Sequence, residues 1–344
     1  MSGDLLDFSD NAYRFLKTIG TQYRNRCVDR SESNNIPNSH ESTRSWIVET
    51  LLDAGYNESS LTEQSFVYNG MTVTNLILTV YGKDLSRQII AGAHYDGEGV
   101  GDNGSGFALL LATACEFTDI TPPTTIKFIF FDAEELGLIG SSYYANHMTQ
   151  DEVQSTLYMI NMDCLAFGDY CSMYGGVTLD DGNVVDTEGY EMAIERAKQL
   201  GFKTWGTNDL DGYYSVNGKG PEMDDNAVFT NPWTNNNPAP RNGKYLSPST
   251  GLWGDHVAFM MRGIIYIYFE ASNWFTEGTD APDDPLSFTS YYETSHTEWG
   301  NHGMFMNTVY DTWENLIDMF PGRTLAHYRI YSPILNSLLI EPAL

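Results

Sequence analysis

The stretch from Gln88 to Glu135 constrains the fold of this chain more than any other. It reads QIIAGAHYDGEGVGDNGSGFALLLATACEF, a short turn, then TIKFIFFDAEE. Two apolar runs, IIAGA and IKFIFF, flank a helix-like segment from about Ser105 to Phe117. Strand, helix and strand with short connections predict a parallel sheet in an α/β domain. Polar residues gather where each run ends. His94 and Asp96 close the first, Asp102 follows in a glycine loop, and Glu134 and Glu135 close the second. Open α/β sheets bind ligands at the carboxyl ends of their strands. A later run, STLYMINMD, again ends in an acid, Asp163. A row of carboxylates along one sheet edge repels itself unless a cation sits among them. Zinc accepts both imidazole nitrogen and carboxylate oxygen, so the pattern points to a metal site. An acidic, solvated loop is the simpler reading, but it leaves the shared position of these residues unexplained.

Gly99, Gly101 and Gly104 also spell the GxGxxG pattern of a dinucleotide-binding turn. Asp102 lies inside that loop and would meet a pyrophosphate with like charge, which makes a nucleotide site the weaker option. The charge balance narrows the partners further. With 18 basic and 46 acidic residues among 344, the net charge is −28, which argues against nucleic acid and anionic membrane surfaces. No apolar run approaches the roughly 20 residues that span a bilayer. The N-terminus lacks the basic flank and apolar stretch of a signal peptide. The four cysteines include no CxxC pair; Cys115 reads as a buried thiol, and Cys164 and Cys171 are spaced to close a loop if oxidised.

Elsewhere the periodicity predicts helices over residues 4–27 and 44–54, with His40 exposed in the polar connection between them. EQSFVY and TVTNLILTVYG read as strands joined by a hairpin at Asn69-Gly70. A helix over LGLIGSSYYANHM carries His147, on the surface or in the core. Residues 166–254 look irregular apart from the helix TEGYEMAIERAKQLG, and loops this long often line a cleft. Gly254-Asp255-His256 then precedes the helix start VAFMMRG and the strand IIYIYFEA. A closing helix is expected over MFMNTVYDTWENLIDMF. There is no internal repeat and no linker, which favours one domain.

The succession HYD, GDNGSG, FFDAEELGLIGS, NMD, GDH and SHT resembles the M28 family of zinc aminopeptidases, over about residues 75–320. The resemblance implies a three-layer αβα sandwich with a mixed, mainly parallel sheet of about eight strands. It divides residues 1–344 into N-terminal helices (1–60), a catalytic core (61–320) with long loops at 203–254 and 271–295, and a C-terminal tail (321–344). It also implies a cocatalytic pair of zinc ions. His94 and Asp163 would bind one, Glu135 and His296 the other, and Asp102 would bridge both. Glu134 would be the general base, Asp96 would orient the His94 ring, and a cis peptide would join Asp102 to Asn103. Substrates would be peptides with a free N-terminus, whose cationic amine the acidic cluster attracts, and the setting secreted, periplasmic or cell-surface.

Some positions depart from the family pattern. HTEWG follows the last ligand where relatives often have HTPxD, and Ser295 stands where some members place a tyrosine that polarises the scissile carbonyl. Tyr291, Tyr292 or a tyrosine of the 203–245 loops is a candidate substitute. Asp255 and His256 match a family motif, and a helix cap and a packed histidine explain them as well. Trp205, Tyr213, Tyr214, Phe229 and Trp233 hint at an apolar first residue in the substrate. Three rivals share the fold: a single-zinc glutaminyl cyclase, a carboxypeptidase and a catalytically inactive binding domain. The presence of His94 with GDNGSG disfavours the first, the scarcity of arginine in the latter half the second, and the complete ligand set the third.

Overall fold

The computed structural model describes residues 6–29, 36–167, 171–179, 183–205, 227–230, 249–271 and 309–342. Apolar residues at helical spacing bury one face of each opening helix: Ala12, Leu16 and Ile19 in α1 (Ser9–Gln22), and Ile47 and Leu51 in α2 (His40–Asp53). A hairpin follows, β1 (Leu61–Tyr68) and β2 (Met71–Val80). Its turn residues Asn69 and Gly70 have φ of 48° and 80°, the left-handed pair that matches strand twist in a two-residue turn. The strand–helix–strand unit is β3 (Asp84–His94), α3 (Gly104–Glu116) and β4 (Thr124–Phe131), and α4 (Ile139–His147), α5 (Gln150–Ser155) and β5 (Thr156–Met162) complete the first half. The remainder comprises β6 (Cys171–Tyr174), the small ribbon β7 (Val177–Thr178) and β8 (Val184–Val185), α6 (Glu188–Gln199), β9 (Lys203–Trp205), β10 (Ala227–Thr230), α7 (His256–Met260), β11 (Tyr266–Glu270), α8 (Trp313–Met319) and α9 (Arg323–Ile340).

Nine strands form one sheet in the order β1-β2-β4-β3-β5-β11-β6-β10-β9. Neighbours β4, β3, β5 and β11 run parallel; β2 and β6 pair antiparallel with the two ends of that block, and β1 pairs antiparallel with β2. Side chains alternate between faces along each strand. Ile126, Phe128 and Phe130 of β4 join the larger core beneath α1, α3, α6 and α9, while Ile129 and Phe131 pack with Tyr144 of α4 and Phe259 of α7 on the other face. This is the three-layer sandwich and mixed sheet expected from the sequence. Every residue of α3 from Gly104 to Ala114 is buried, because α1 and α9 cover the side turned away from the sheet. Among the described residues no helix is long and apolar enough to cross a membrane.

Four expectations need correction. Residues 166–254 contribute β6, β9 and β10 to the sheet; strands of three or four residues are too short to show alternation. The supposed tail is α9, which buries Tyr331, Ile334, Leu335 and Leu338 in the main core. Its apolar residues lie on nearly every face and Pro333 sits inside it, so neither an amphipathic stripe nor helix propensity marks it in the sequence. The closing helix starts at Trp313, which frees Asp311 from it. His40 is buried rather than exposed, with Nε2 2.8 Å from Asp132 Oδ1. His147 is exposed, and Cys164 and Cys171 are buried free thiols.

His327 of α9 gives the fold an acid-sensitive point. Its Nδ1 lies 2.8 Å from the Leu165 carbonyl oxygen, so that nitrogen carries the proton of the neutral ring. Burial, only partly offset by that bond, lowers its pKa from 6.5 to about 3. Between these values the unfolded chain binds a proton that the folded chain does not. Its stabilising contribution is therefore complete above pH 6.5 and is lost as pH falls towards 3. Urea midpoints measured across that window are expected to fall with pH, and His327→Gln is expected to flatten the slope by about one proton.

Candidate metal centre

Parallel register brings the strand ends together. His94 of β3 pairs with Phe131 of β4, and Gly92 of β3 pairs with Asn161 of β5. Extending that register sets Asp163 level with His94 on one side and the turn carrying Glu134 and Glu135 beside it on the other. The imidazole is 1% exposed. Its Nε2 lies 3.3 Å from Asp102 Oδ1, 3.4 Å from Asp163 Oδ1 and 3.8 Å from Glu134 Oε2. None of these approaches has hydrogen-bond geometry: both ring nitrogens and Asp163 Oδ1 are buried without a hydrogen-bond partner. Leaving such groups unpaired costs about 1–3 kcal/mol each, so they fit atoms disposed to coordinate a cation. Two groups have ligand atoms within 4.8 Å of one another, His94 with Asp102 and Asp163, and His94 with Glu134 and Glu135. Imidazole nitrogen with carboxylate oxygens is a donor set that suits zinc.

The backbone supports these placements. Asp96 Oδ1 lies 3.4 Å from His94 Nδ1, and the same carboxylate accepts the amides of Glu134 at 3.0 Å and Glu135 at 3.3 Å. One side chain thus ties the end of β3 to the turn after β4. That turn is opened by Ala133, a non-glycine residue in the left-handed region (φ 57°), and Cys164 (φ 54°) similarly redirects the chain after Asp163. The Asp102–Asn103 peptide is cis. Asn103 caps α3 by accepting the Gly106 amide at 2.8 Å and donates to the Met162 carbonyl at 2.9 Å, which fastens the helix start to the end of β5. A Cβ on Gly106 would lie 2.2 Å from Asn103 Oδ1, so only glycine permits this junction.

Crowded carboxylates distort one another's protonation. Burial, then the Asp163, Asp255 and Asp102 charges, push Glu134 well above the usual carboxylate range, against the pull of His94. Glu135 rises for the same reasons, burial first and the Asp102 charge next. Burial alone would lower His94, but the Glu134 and Asp163 charges outweigh it and hold the ring well above its usual value.

The structure brings His94, Asp96, Asp102, Glu134, Glu135 and Asp163 to one place. His296 lies outside the described residues, as do Tyr291, Tyr292, Ser295, Tyr213, Tyr214 and Trp233. His256 is packed between the Tyr266 and Tyr268 rings, with centroids 4.5 and 4.8 Å away, whereas Asp255 precedes α7 without a side-chain capping bond. Burial raises Asp255 to about 7. Sequence reasoning missed Arg26, Asp132 and Asp311. Asp132 accepts the Thr74 amide at 2.7 Å and the Ala133 amide at 2.9 Å, and so holds the turn before Glu134. Its place in FFDAEE was the available signal.

The profile of peptidase family M28 matches residues 75–317. A probable leucine aminopeptidase 2 from Aspergillus oryzae is 32% identical over 123 residues, a stretch that spans 34% of this chain and 24% of that protein. Among solved structures, a glutaminyl cyclase from an Acidobacteriales bacterium superposes with a TM-score of 0.65 at 14% identity, covering 100% of this chain and 98% of its own. A Zn-dependent exopeptidase from Parabacteroides distasonis ATCC 8503 does so with a TM-score of 0.60 at 16% identity, covering 98% and 99%. At these identities the structures share the fold.

Zinc added to metal-free protein at pH 7 is expected to raise the unfolding free energy, by about 2.7 kcal/mol at a free concentration one hundred times Kd. Because Glu134 and Glu135 titrate above the usual range, binding is also expected to release protons. Calorimetry in buffers of different ionisation enthalpy reads that release directly; an enthalpy independent of buffer contradicts it.

Proposed function

The chain belongs to peptidase family M28, and from that premise we propose that it is a zinc-dependent aminopeptidase acting on the N-terminal bond of peptides. The observation that carries the proposal is the His94 imidazole, buried among Asp102, Asp163 and Glu134 with its ring nitrogens free of hydrogen bonds. His94, Asp102 and Asp163 would hold one zinc ion, and Asp102, Glu135 and His296 a second. Bound there, zinc would polarise the scissile carbonyl and make water a stronger nucleophile at neutral pH.

The chain's own residues account for the rest. Asp96 fixes, through two amide hydrogen bonds, the backbone that carries Glu134 and Glu135, and its Oδ1, 3.4 Å from His94 Nδ1, stands where it would orient the ring once Nε2 holds a metal. Glu134 takes a proton from the attacking water at its carboxylate and returns it to the leaving amine nitrogen. The acidic surroundings attract the α-ammonium of a substrate and repel a C-terminal carboxylate, which favours cleavage at the N-terminus. The relative named as a leucine aminopeptidase supports an apolar first residue. The cyclase neighbour shares the fold and supplies the second reading, N-terminal glutamine cyclisation.

Zinc-loaded protein is expected to release p-nitroaniline from aminoacyl-p-nitroanilides with a free amine and not from N-acetylated controls. Glu134→Gln is expected to retain zinc and lose about 10²–10⁴ in kcat. Zinc-loaded protein that releases nothing from any free-amine substrate overturns the proposal, and ring closure of a glutaminyl peptide under those conditions assigns the cyclase reading instead.

A further inference from the structure

The loop that presents Asp102, residues 95–103, is gripped by two buried charged groups from distant parts of the chain. Arg26, beyond the end of α1, is 0% exposed. Its Nε donates to the Tyr95 carbonyl at 2.8 Å and its Nη2 to the Gly99 carbonyl at 2.7 Å. Its Nη1 donates to the Tyr23 carbonyl at 2.9 Å, and its own amide to the Gly97 carbonyl at 2.9 Å. Asp311, two residues before α8, is 5% exposed. Its Oδ1 accepts the Gly101 amide at 2.6 Å and its Oδ2 the Asp102 amide at 3.0 Å, while its carbonyl accepts the Val100 amide at 3.3 Å. The approach is close enough that a Cβ on Gly99 would lie 2.2 Å from Asp311 Oδ2.

A guanidinium and a carboxylate are costly to bury, and neither is among the groups that surround His94. What they share is this loop. The cation takes carbonyls along its first part and the anion takes amides along its second, and the last of those amides belongs to Asp102 itself. Hydrogen bonds to charged groups are shorter and stronger than neutral ones, so the grip sets the loop path tightly. We propose that Arg26 and Asp311 are positioning residues that fix the Asp102 carboxylate and so set the metal affinity of the centre. The proposal rests on the reading of that centre as a zinc site. Neither residue is assigned contact with metal or substrate; both act through the backbone of the loop.

Asp311→Asn replaces one accepting oxygen by an amide nitrogen that faces a backbone N–H, with almost no change in volume. Zinc affinity, measured by competition with a chromophoric chelator on folded protein, is expected to weaken about 10- to 100-fold. The visible absorption of the cobalt-substituted protein is expected to change as well, which a loss of stability alone does not produce. Arg26→Lys keeps the charge but cannot bridge two carbonyls; it is expected to act in the same direction and serves if Asp311→Asn does not fold. A folded variant with zinc affinity within twofold of the unaltered protein and the same cobalt spectrum overturns the proposal. Unaltered protein that binds no zinc overturns the metal-centre reading instead, so the two failures are distinguishable.

Discussion

The mutual repulsion of carboxylates held around one buried imidazole is the constraint on which the rest of this structure depends. Asp102, Asp163 and Glu134 approach His94 within 3.3–3.8 Å in a setting largely closed to water. The ligand atoms of Asp102 and Asp163 lie within 4.8 Å of each other, and in a low effective dielectric like charges that close repel by several kcal/mol, so the groups respond by taking up protons or by holding a cation. Burial first, and then that repulsion, raises the pKa values of Glu134 and Glu135, which is the protonated form of the response. The hydrogen-bond-free nitrogens of His94 and the free oxygen of Asp163 suit the other.

Holding such a cluster requires a frame that cannot relax, and the sheet provides it. The parallel pairing of β4, β3 and β5 ends three strands at the same edge, and apolar packing on both faces leaves those strands little freedom to slide. A slip of one residue would turn every inward side chain to the opposite face. The start of α3 lies immediately after Asp102, so the partial positive charge of that helix end faces the cluster and offsets part of its repulsion. Asp96 ties the end of β3 to the turn after β4, Asn103 the start of α3 to the end of β5, and Asp132 the end of β4 to β2, each by hydrogen bonds to backbone rather than by packing.

Residues that do this joining were poorly legible beforehand. His40 sits in a polar stretch, yet it is buried against Asp132 and stacked on Tyr95, with ring centroids 5.4 Å apart. Arg26 ends a helical pattern and Asp311 seemed part of a closing helix; each is separated from its partner loop by tens or hundreds of positions. A buried charge whose partners are backbone groups leaves no spacing pattern in its own neighbourhood. The longest described helix, α9, escaped for a related reason, because a helix buried on most of its faces shows no amphipathic period.

What the sequence by itself determined was local and periodic: the strand–helix–strand unit, the Asn69-Gly70 hairpin, and the acids and histidine that terminate three apolar runs. These are legible because side-chain alternation, turn chemistry and strand ends depend on near neighbours. The tertiary structure alone decided which strands became neighbours, that three of those ends lie within a few ångströms, and that an arginine near the start of the chain and an aspartate near its end hold the same loop. Those outcomes follow from long-range pairing and from the need of buried charges for partners, and neither is written in any short stretch of residues.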